Sequence, residues 1–395
     1  MHYDFETLVD RSGMGSSKWE QMKAAKSDVS EGIVPFSVAD MELRNPPEII
    51  EGLKRFLDTA ILGYTLPTES YLDAVRLWMR RRHDWEIESE WILGAEGVVG
   101  AFFSAIRAFS EPGDGIIVQT PAYYPFYRAV EKNGRRLVRN PLVDTGDTYL
   151  IDYEDLERKA RDPRTTVLLF CSPHNPTGRV WTTEELRRVG EICLRNGVLI
   201  VSDEIHFDLV MPGRRHKVFA TVSEELADNM IVCTAPSKTF NLAGMHASNI
   251  VIPNRALRGR YRREVEASGF FSLSILGYKA CEIAYTQCEA WLDELIAHVH
   301  GNHLALKAFL ESEIPAIKVY GLEGTYLQWM DFRGLGLSPD RLERRLHEKA
   351  ELFFDEGYVF GEEGSGFERM NLACPRSTLM EALGRLKAMV GGPGA

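Results

Sequence analysis

The sequence predicts an α/β protein with a mostly parallel central sheet, helices on both faces, and a second, smaller α+β domain. Three observations predict this fold. The chain has 395 residues, which is more than one typical domain. Short, near-continuous apolar runs recur in its centre, as in strands that are buried on both faces. Amphipathic stretches separate these runs, and this alternation is typical of parallel α/β sheets.

The predicted strands of the central sheet are apolar runs of four to six residues. They cover residues 115–119, 166–171, 198–202, 230–234 and 249–252. Apolar residues at helical spacing predict helices between them, at residues 100–110 and 183–196.

The last third of the chain predicts the smaller domain. Its predicted elements are a long helix at 291–310, a strand at 325–331, and helices at 339–351 and 378–390. We expect residues 1–45 to form an N-terminal segment that packs with the small domain, 46–288 to form the large domain, and 289–395 to form the small domain.

Composition excludes several classes of protein. The net charge of −11 disfavours non-specific binding to nucleic acid. No apolar stretch of 18 residues is present, so no membrane span is expected. The first residues, MHYDFETLVDRSG, contain acidic side chains and no apolar core, unlike a secretory signal. We therefore expect a cytoplasmic protein that binds neither nucleic acid nor membrane.

The six cysteines include no CxxC pair, and no Cys/His cluster has zinc-finger spacing. Several of them lie inside apolar runs. We expect reduced cysteines in the core and no metal site.

Three polar residues follow predicted strands and point to one chemistry. Asn175 lies in SPHNPTG, Asp203 ends an apolar run, and Lys238 lies in TAPSKTFNLAG. Ligands bind at the carboxyl ends of parallel strands, where these residues would meet. Such a set suits pyridoxal phosphate (PLP): the lysine binds it covalently, the carboxylate holds its ring nitrogen protonated, and the amide orients its phenolate oxygen.

Each residue has a simpler explanation on its own. Lys238 alone would be a solvated surface group, Asp203 a helix cap and Asn175 part of a turn. Their matching positions after three strands favour the shared pocket. A buried Lys238 would also have a lowered pKa, as a general base requires.

The cofactor phosphate needs hydrogen-bond donors. Gly97, Val98 and Val99 precede the helix at 100–110, and helix N-termini bind anions through backbone N–H groups. Ser237 is a second candidate donor.

Two further side chains have competitors nearby. Tyr123, in TPAYYPF, is the candidate to stack on the cofactor ring, ahead of Tyr124 and of a purely structural role. Arg369 is the candidate to bind a substrate carboxylate, with Arg376 or a surface role as alternatives.

The motifs together resemble a known family. They are VADMEL, GYTLP, TPAYYPFYRAV, NGRRLVRNPL, SPHNPTGRVWTTEEL, SDEIHFDLV, APSKTFNLAG, ASNIVIPN and RMNLACPRS. They resemble fold-type I PLP enzymes of the class I/II aminotransferase superfamily, and within it the MalY/PatB-type C–S lyases, or cystathionine β-lyases. The resemblance runs over nearly the whole chain.

The resemblance implies roles and an assembly. It implies that Lys238 binds the cofactor covalently, that Asp203, Asn175, Tyr123 and Tyr64 contact it, and that Arg369 binds the substrate carboxylate. We expect catalysis by Lys238, Asp203 and Tyr123, and cofactor binding also by Gly97, Val98, Val99, Asn175, His206, Ser237 and Tyr64. Tyr64 would reach the cofactor phosphate of a neighbouring subunit. The implied assembly is a homodimer with shared active sites.

Three positions depart from the usual pattern of that subgroup. Ser37 stands where tryptophan is common, Phe207 where a small residue is common, and His246 where glutamine is more usual. Many aminotransferases have an arginine at this last position, so His246 favours the lyase branch. We expect Ser37 and Phe207 to reshape the substrate pocket.

The resemblance implies β-elimination of L-cystathionine or a related L-cysteine S-conjugate to thiol, pyruvate and ammonia. One alternative is an aminotransferase. Another is a specialised secondary-metabolism enzyme that acts on an S-cysteinyl conjugate by C–S cleavage or by decarboxylation with oxidative deamination. A third, disfavoured by the intact catalytic set, is a PLP-binding regulator without catalysis.

Overall fold

A seven-stranded sheet forms the centre of the protein, which we describe from a computed structural model covering residues 3–392. The strands of the chain are β1 (Ile92–Ala95), β2 (Gly115–Thr120), β3 (Arg136–Pro141), β4 (Val143–Asp144), β5 (Tyr149–Leu150), β6 (Thr165–Cys171), β7 (Leu199–Asp203), β8 (Met230–Thr234), β9 (Ser248–Val251), β10 (Lys318–Val319), β11 (Leu327–Asp331), β12 (Asp355–Glu356) and β13 (Phe367–Asn371). The large sheet has the order β1-β9-β8-β7-β6-β2-β3.

The large sheet is mostly parallel, as predicted. Strands β3, β2, β6, β7 and β8 run parallel to one another. Strand β9 is antiparallel to β8, and β1 is antiparallel to β9. The carboxyl ends of the five parallel strands therefore meet along one edge of the sheet.

Helices cover both faces of the sheet and build the smaller domain. They are α1 (Ser17–Ala25), α2 (Pro47–Leu57), α3 (Glu69–His83), α4 (Val98–Phe109), α5 (Tyr124–Lys132), α6 (Tyr153–Ala160), α7 (Thr183–Asn196), α8 (Glu224–Asp228), α9 (Pro236–Thr239), α10 (Arg255–Ala267), α11 (Ile275–Gln287), α12 (Glu289–Glu313), α13 (Pro339–Arg345) and α14 (Arg376–Gly391). Helix α7 and strand β8 have the predicted bounds.

Alternate residues of the parallel strands supply two separate cores. One face of the sheet contributes Ile117, Leu168, Ile200 and Val232. The other face contributes Ile116, Val118, Leu169 and Val201, which pack with α4 and α5. Because both faces are buried, the central residues of these strands are apolar at consecutive positions, and this explains why their sequences show runs rather than alternation.

Other predicted elements differ from the structure at their ends. The strand predicted from residue 325 begins at Leu327, since Thr325 has a positive φ of 69° that an extended strand cannot continue. The helix predicted at 339–351 changes after Arg345 into a π-helical turn at Leu346–Ala350. Helix α4 begins at Val98, two residues earlier than predicted.

The smaller sheet has the order β10-β11-β13-β12 and belongs to the C-terminal part of the chain. The N-terminal segment packs on it: Phe36 N–H donates to the carbonyl of Phe353, and Glu42 N–H donates to that of Ala373. These contacts support the proposed packing of residues 1–45 with the small domain. The proposed N-terminal segment and small domain also include residues 1–2 and 393–395, which lie outside the described residues.

None of the helices between residues 3 and 392 combines the length and the apolar character that a membrane crossing requires.

Candidate active site

A cavity of about 250 Å³ lies at the carboxyl ends of the parallel strands. Most of the residues predicted for the site line it: Gly97, Val98, Val99, Tyr123, Asn175, Asp203, His206, Ser237, Lys238 and Arg369. The strands explain this convergence. Tyr123 follows β2, Asn175 follows β6, Asp203 ends β7, and Lys238 follows β8.

Lys238 lies in the short helix α9, which Pro236 begins directly after β8. Its amine donates to the backbone carbonyl of Ala39 over 2.7 Å. Burial lowers the pKa of the Lys238 amine from 10.5 to about 8. At pH 7, therefore, about a tenth of this amine is uncharged and able to act as a nucleophile or base, far more than for an unperturbed lysine.

Asp203 is a buried carboxylate without a salt bridge in the described chain. Its side chain accepts one hydrogen bond, from Ile205 N–H over 3.2 Å, and it forms no salt bridge with residues 3–392. Its exposed fraction is 4 %. Burial raises the pKa of Asp203 from 3.8 to about 7. Such a group favours a ligand that brings a proton or a positive charge.

Arg369 connects three parts of the site. Its Nη1 donates to Asn175 Oδ1 over 2.7 Å. Its Nε and Nη2 donate to Asp355 Oδ2 over 3.1 and 2.5 Å. A guanidinium group has five N–H donors. Two of them therefore stay free of these bonds, which is enough to bind a substrate carboxylate.

The N-terminus of α4 supplies backbone donors to the cavity. Gly97 precedes the helix with a φ of 121°, a conformation that residues other than glycine rarely adopt. Val98 and Val99 are the first residues of the helix, and both line the cavity. Their N–H groups have no partner within the helix, so this end suits an anion.

Aromatic side chains cover the cavity from two sides. Tyr123 and Tyr124 both line it, with ring centroids 5.6 Å apart. His206 is buried and lies edge-on to Tyr326 at 6.0 Å. Burial lowers the pKa of His206 well below its usual range, so this imidazole is neutral at physiological pH. Its Nδ1 has no hydrogen-bond partner within the described chain.

Four residues considered from the sequence lie elsewhere. Ser37 is buried outside the cavity wall, which its neighbour Val38 lines instead. Phe207 is 1 % exposed and stacks on His83 at 4.2 Å, since it belongs to the core behind the site. Arg376 donates to Asn302 from the start of α14.

The fourth, Tyr64, has a fully exposed side chain. Its ring lies edge-on to that of Phe271, with ring centroids 6.3 Å apart. Within a single chain it does not reach the cavity.

The sequence reasoning missed Asp355, which holds Arg369 and also accepts from Val38 N–H over 2.9 Å. Its neighbourhood, FFDEG, contains no local signal for a site. The backbone carbonyl of Ala39 was missed as well, although VADMEL was among the family motifs. His246, noted as a departure from the family pattern, does line the cavity.

Comparison with known proteins places this arrangement in a family. The sequence profile of the family described as "Aminotransferase class I and II" matches residues 31–386. The chain belongs to the class I and II aminotransferase family.

Two curated relatives of this family member match it over nearly their full lengths. It is 43% identical to cystathionine beta-lyase PatB of Bacillus subtilis, over 98% of this chain and 99% of that protein. It is 32% identical to protein MalY of Escherichia coli, over 97% of this chain and 98% of that protein. These relatives confirm the subgroup predicted from the motifs.

A solved structure is similar to the whole fold. Cystalysin from Treponema denticola, whose crystal structure contains pyridoxal 5'-phosphate, superimposes with a TM-score of 0.97. The two chains are 48% identical, and the match covers 98% of this chain and 99% of that one. The predicted fold-type I architecture is therefore confirmed.

Proposed function

We propose that this protein is a PLP-dependent C–S lyase. It catalyses β-elimination from L-cystathionine or a related L-cysteine S-conjugate, and with one water it yields a thiol, pyruvate and ammonium. The observation that carries the proposal is the cavity in which Lys238, Asp203 and Arg369 meet. The names of its relatives, cystathionine beta-lyase among them, support the same reaction.

The residues of the cavity fit PLP. The carboxylate of Asp203, buried without a cation, would accept a hydrogen bond from the protonated ring nitrogen. The N–H groups at the start of α4 and the hydroxyl of Ser237 would hold the phosphate. Tyr123 would stack on the ring. When bound, PLP supplies an electron sink for the bond that breaks at the α-carbon of an amino acid.

Arg369 would orient the substrate. Its two remaining N–H donors bind the α-carboxylate, while Asp355 and Asn175 hold the guanidinium in place. A fixed carboxylate sets the direction of the Cα–H bond, so orientation contributes to the rate without any further chemistry.

Lys238 would move the proton at Cα. With its pKa near 8, about half of the amine would be unprotonated at that pH. The uncharged amine can take the Cα proton. A thiolate is a good leaving group, so departure of sulfur from Cβ demands little from the protein beyond alignment.

The assembly that fits this site is a homodimer. Tyr64 is fully exposed, and Ile61, Leu66 and Phe271 are each more than 60 % exposed in the same region. Apolar side chains in such a group are typical of a surface that a partner covers. A second copy would bury them and bring Tyr64 to the phosphate of its neighbour.

The test is turnover by purified, PLP-loaded protein. L-Cystathionine and a panel of cysteine S-conjugates are supplied without any keto acid, and pyruvate and free thiol are followed together. Equal amounts of both establish β-elimination. Lys238→Ala is the control, and it should abolish turnover together with the covalent attachment of PLP.

Two outcomes would contradict the proposal. Full activity of Lys238→Ala would remove the assigned base. Conversion to a pyridoxamine spectrum without release of thiol would identify an aminotransferase instead.

A further inference from the structure

A second cluster of ionisable side chains lies in the small domain, on the other side of β12 from Arg369. It consists of Glu343 in α13, His347 in the following π-helical turn, and Glu356 in β12. One ligand atom of each residue lies within 4.8 Å of the others. All three side chains are half-buried. We refer to these three residues as the Glu–His–Glu cluster.

The backbone brings the three side chains to one place. Glu343 and His347 are four positions apart, so they share one face of the helix. The π-helical turn at Leu346–Ala350 widens that face next to β12, and such turns occur frequently at functional sites. The His347 ring stacks on Phe353 at 4.8 Å, which fixes its orientation.

Glu368 is an independent observation that points to a ligand. It lies directly opposite Glu356 in the β12–β13 pair, so both side chains project to the same face. It is 3 % exposed, and its Oε2 has no hydrogen-bond partner in the described chain. A buried carboxylate oxygen without a partner in the described chain is a group that a bound cation would satisfy.

Among residues 3–392, no lysine or arginine forms a salt bridge with Glu343, Glu356 or Glu368. The carboxylate of Glu343 accepts a hydrogen bond from Tyr358 Oη over 3.1 Å, and Glu356 lies 3.5 Å from His347 Nε2. Buried carboxylates are normally paired or coordinate metals.

We propose that Glu343, His347 and Glu356 bind a divalent transition-metal ion, with Glu368 as a fourth or supporting ligand. One imidazole nitrogen with two or three carboxylate oxygens suits Zn²⁺ or Mn²⁺ better than Mg²⁺ or Ca²⁺, which prefer oxygen alone. The ion binds helix α13 to β12 and β13.

The ion site adjoins the proposed active site through β12. Asp355 pairs with Arg369 on one face of the β12–β13 ladder, and Glu356 faces Glu368 on the other. An ion that orders β12 also orders the carboxylate that holds Arg369. The expected consequence is a lower KM with little change in kcat; this consequence alone rests on the proposed function.

The experiment measures ion binding directly. Tag-free holoenzyme is freed of metal with EDTA, then titrated with Zn²⁺ or Mn²⁺ in a calorimeter and melted with and without the ion. We expect about one ion per chain and a rise in Tm of about 2–4 °C or more. Both readouts are independent of lyase activity, so a failure of the proposed function would leave them unaffected.

Conservative variants locate the ion. His347→Gln and Glu356→Gln should weaken binding by about tenfold or more and abolish the rise in Tm. His300→Gln, a half-buried histidine on α12, is the matched control and should keep both. The rise in Tm on addition of the ion is measured for each variant against the same variant without the ion, so a general loss of stability does not obscure it. Glu343→Gln gives a further test of the same kind.

Three results would overturn the assignment. The first is wild-type protein that binds neither ion at millimolar concentration. The second is binding that survives both His347→Gln and Glu356→Gln, or that only His300→Gln removes. The third combines two observations: no ion changes the Tm of the wild type, and Glu356→Gln is more stable than the wild type in the absence of any ion. Glu356 and Glu368 would then share a proton instead of binding an ion.

Discussion

Replacement of Asp203 by asparagine should stabilise the cofactor-free protein while it weakens the active site. Burial raises the pKa of this carboxyl group from 3.8 to about 7. The folded state therefore keeps the proton to a higher pH than the unfolded state does. The stability associated with that proton is present at low pH, and it is lost as the pH rises from about 4 through 7.

The magnitude follows from the shift. About three pKa units correspond to roughly 4 kcal/mol of unfolding free energy at pH 8, of which about 3 kcal/mol develops above pH 5. The asparagine side chain would keep the hydrogen bond from Ile205 N–H through its amide oxygen, and it carries no charge to bury. Relative to the wild type, the variant should gain stability between pH 5 and pH 7, and the gain should level off toward pH 8.

The assay is urea denaturation of PLP-free protein at pH 5, 6, 7 and 8, for the wild type and for Asp203→Asn. Asp208→Asn is the matched control. Asp208 is equally buried, but it accepts from Trp78, His83 and Thr239. An amide would face those donors with its NH₂ group, so this control should lose about 1–3 kcal/mol at every pH.

The reasoning is refuted if the difference between Asp203→Asn and wild type does not change with pH. It is also refuted if the variant is destabilised to the same extent as Asp208→Asn. In the PLP-loaded protein the pH-dependent advantage should disappear, because a protonated ring nitrogen gives the wild-type carboxylate its partner.

Three further outcomes are expected. Arg369→Lys should raise KM at least tenfold with a smaller effect on kcat, because an ammonium group cannot hold Asn175 and Asp355 and still bind a carboxylate in two places; an unchanged KM in steady-state kinetics would contradict its role. Tyr64→Phe should lower PLP affinity in equilibrium dialysis with little change in the Tm of the PLP-free protein, since this side chain is fully exposed in the chain and the variant keeps its ring. Unchanged affinity would count against a shared site. Gly97→Ala should lower the free energy of unfolding by about 1–3 kcal/mol. The cause would be backbone strain alone, since an added Cβ would meet no atom within 4 Å. A denaturation curve identical to that of the wild type would disprove that strain.

The amino-acid sequence by itself predicted five of the seven strands of the central sheet and most of the cavity wall, while the two edge strands β1 and β3 were missed. Apolar runs at β2, β6, β7 and β8 marked strands buried on both faces, and each is followed by a polar or aromatic residue that lines the cavity. This worked because parallel strands bring their carboxyl ends to one edge, so position along the chain translates directly into position in space.

Only the tertiary structure decided how these residues are held and which neighbours they have. Asp355 accepts a hydrogen bond from the N–H of Val38, which is 317 positions away in the sequence. No local sequence pattern predicts that contact. Phe207 was expected to reshape the substrate pocket, yet the fold buries it against His83 and not in the cavity wall. The Glu–His–Glu cluster depends on a π-helical turn and a two-residue strand that carry no periodic signal.

The physical reason for this division is the range of the interactions. Strand and helix patterns depend on neighbours within a few positions, which the sequence displays. Burial, hydrogen-bond partners and electric fields depend on residues that folding brings together from distant parts of the chain. The lowered pKa of Lys238 and the raised pKa of Asp203 result from burial, so the sequence could name these two residues while the tertiary structure set their chemistry.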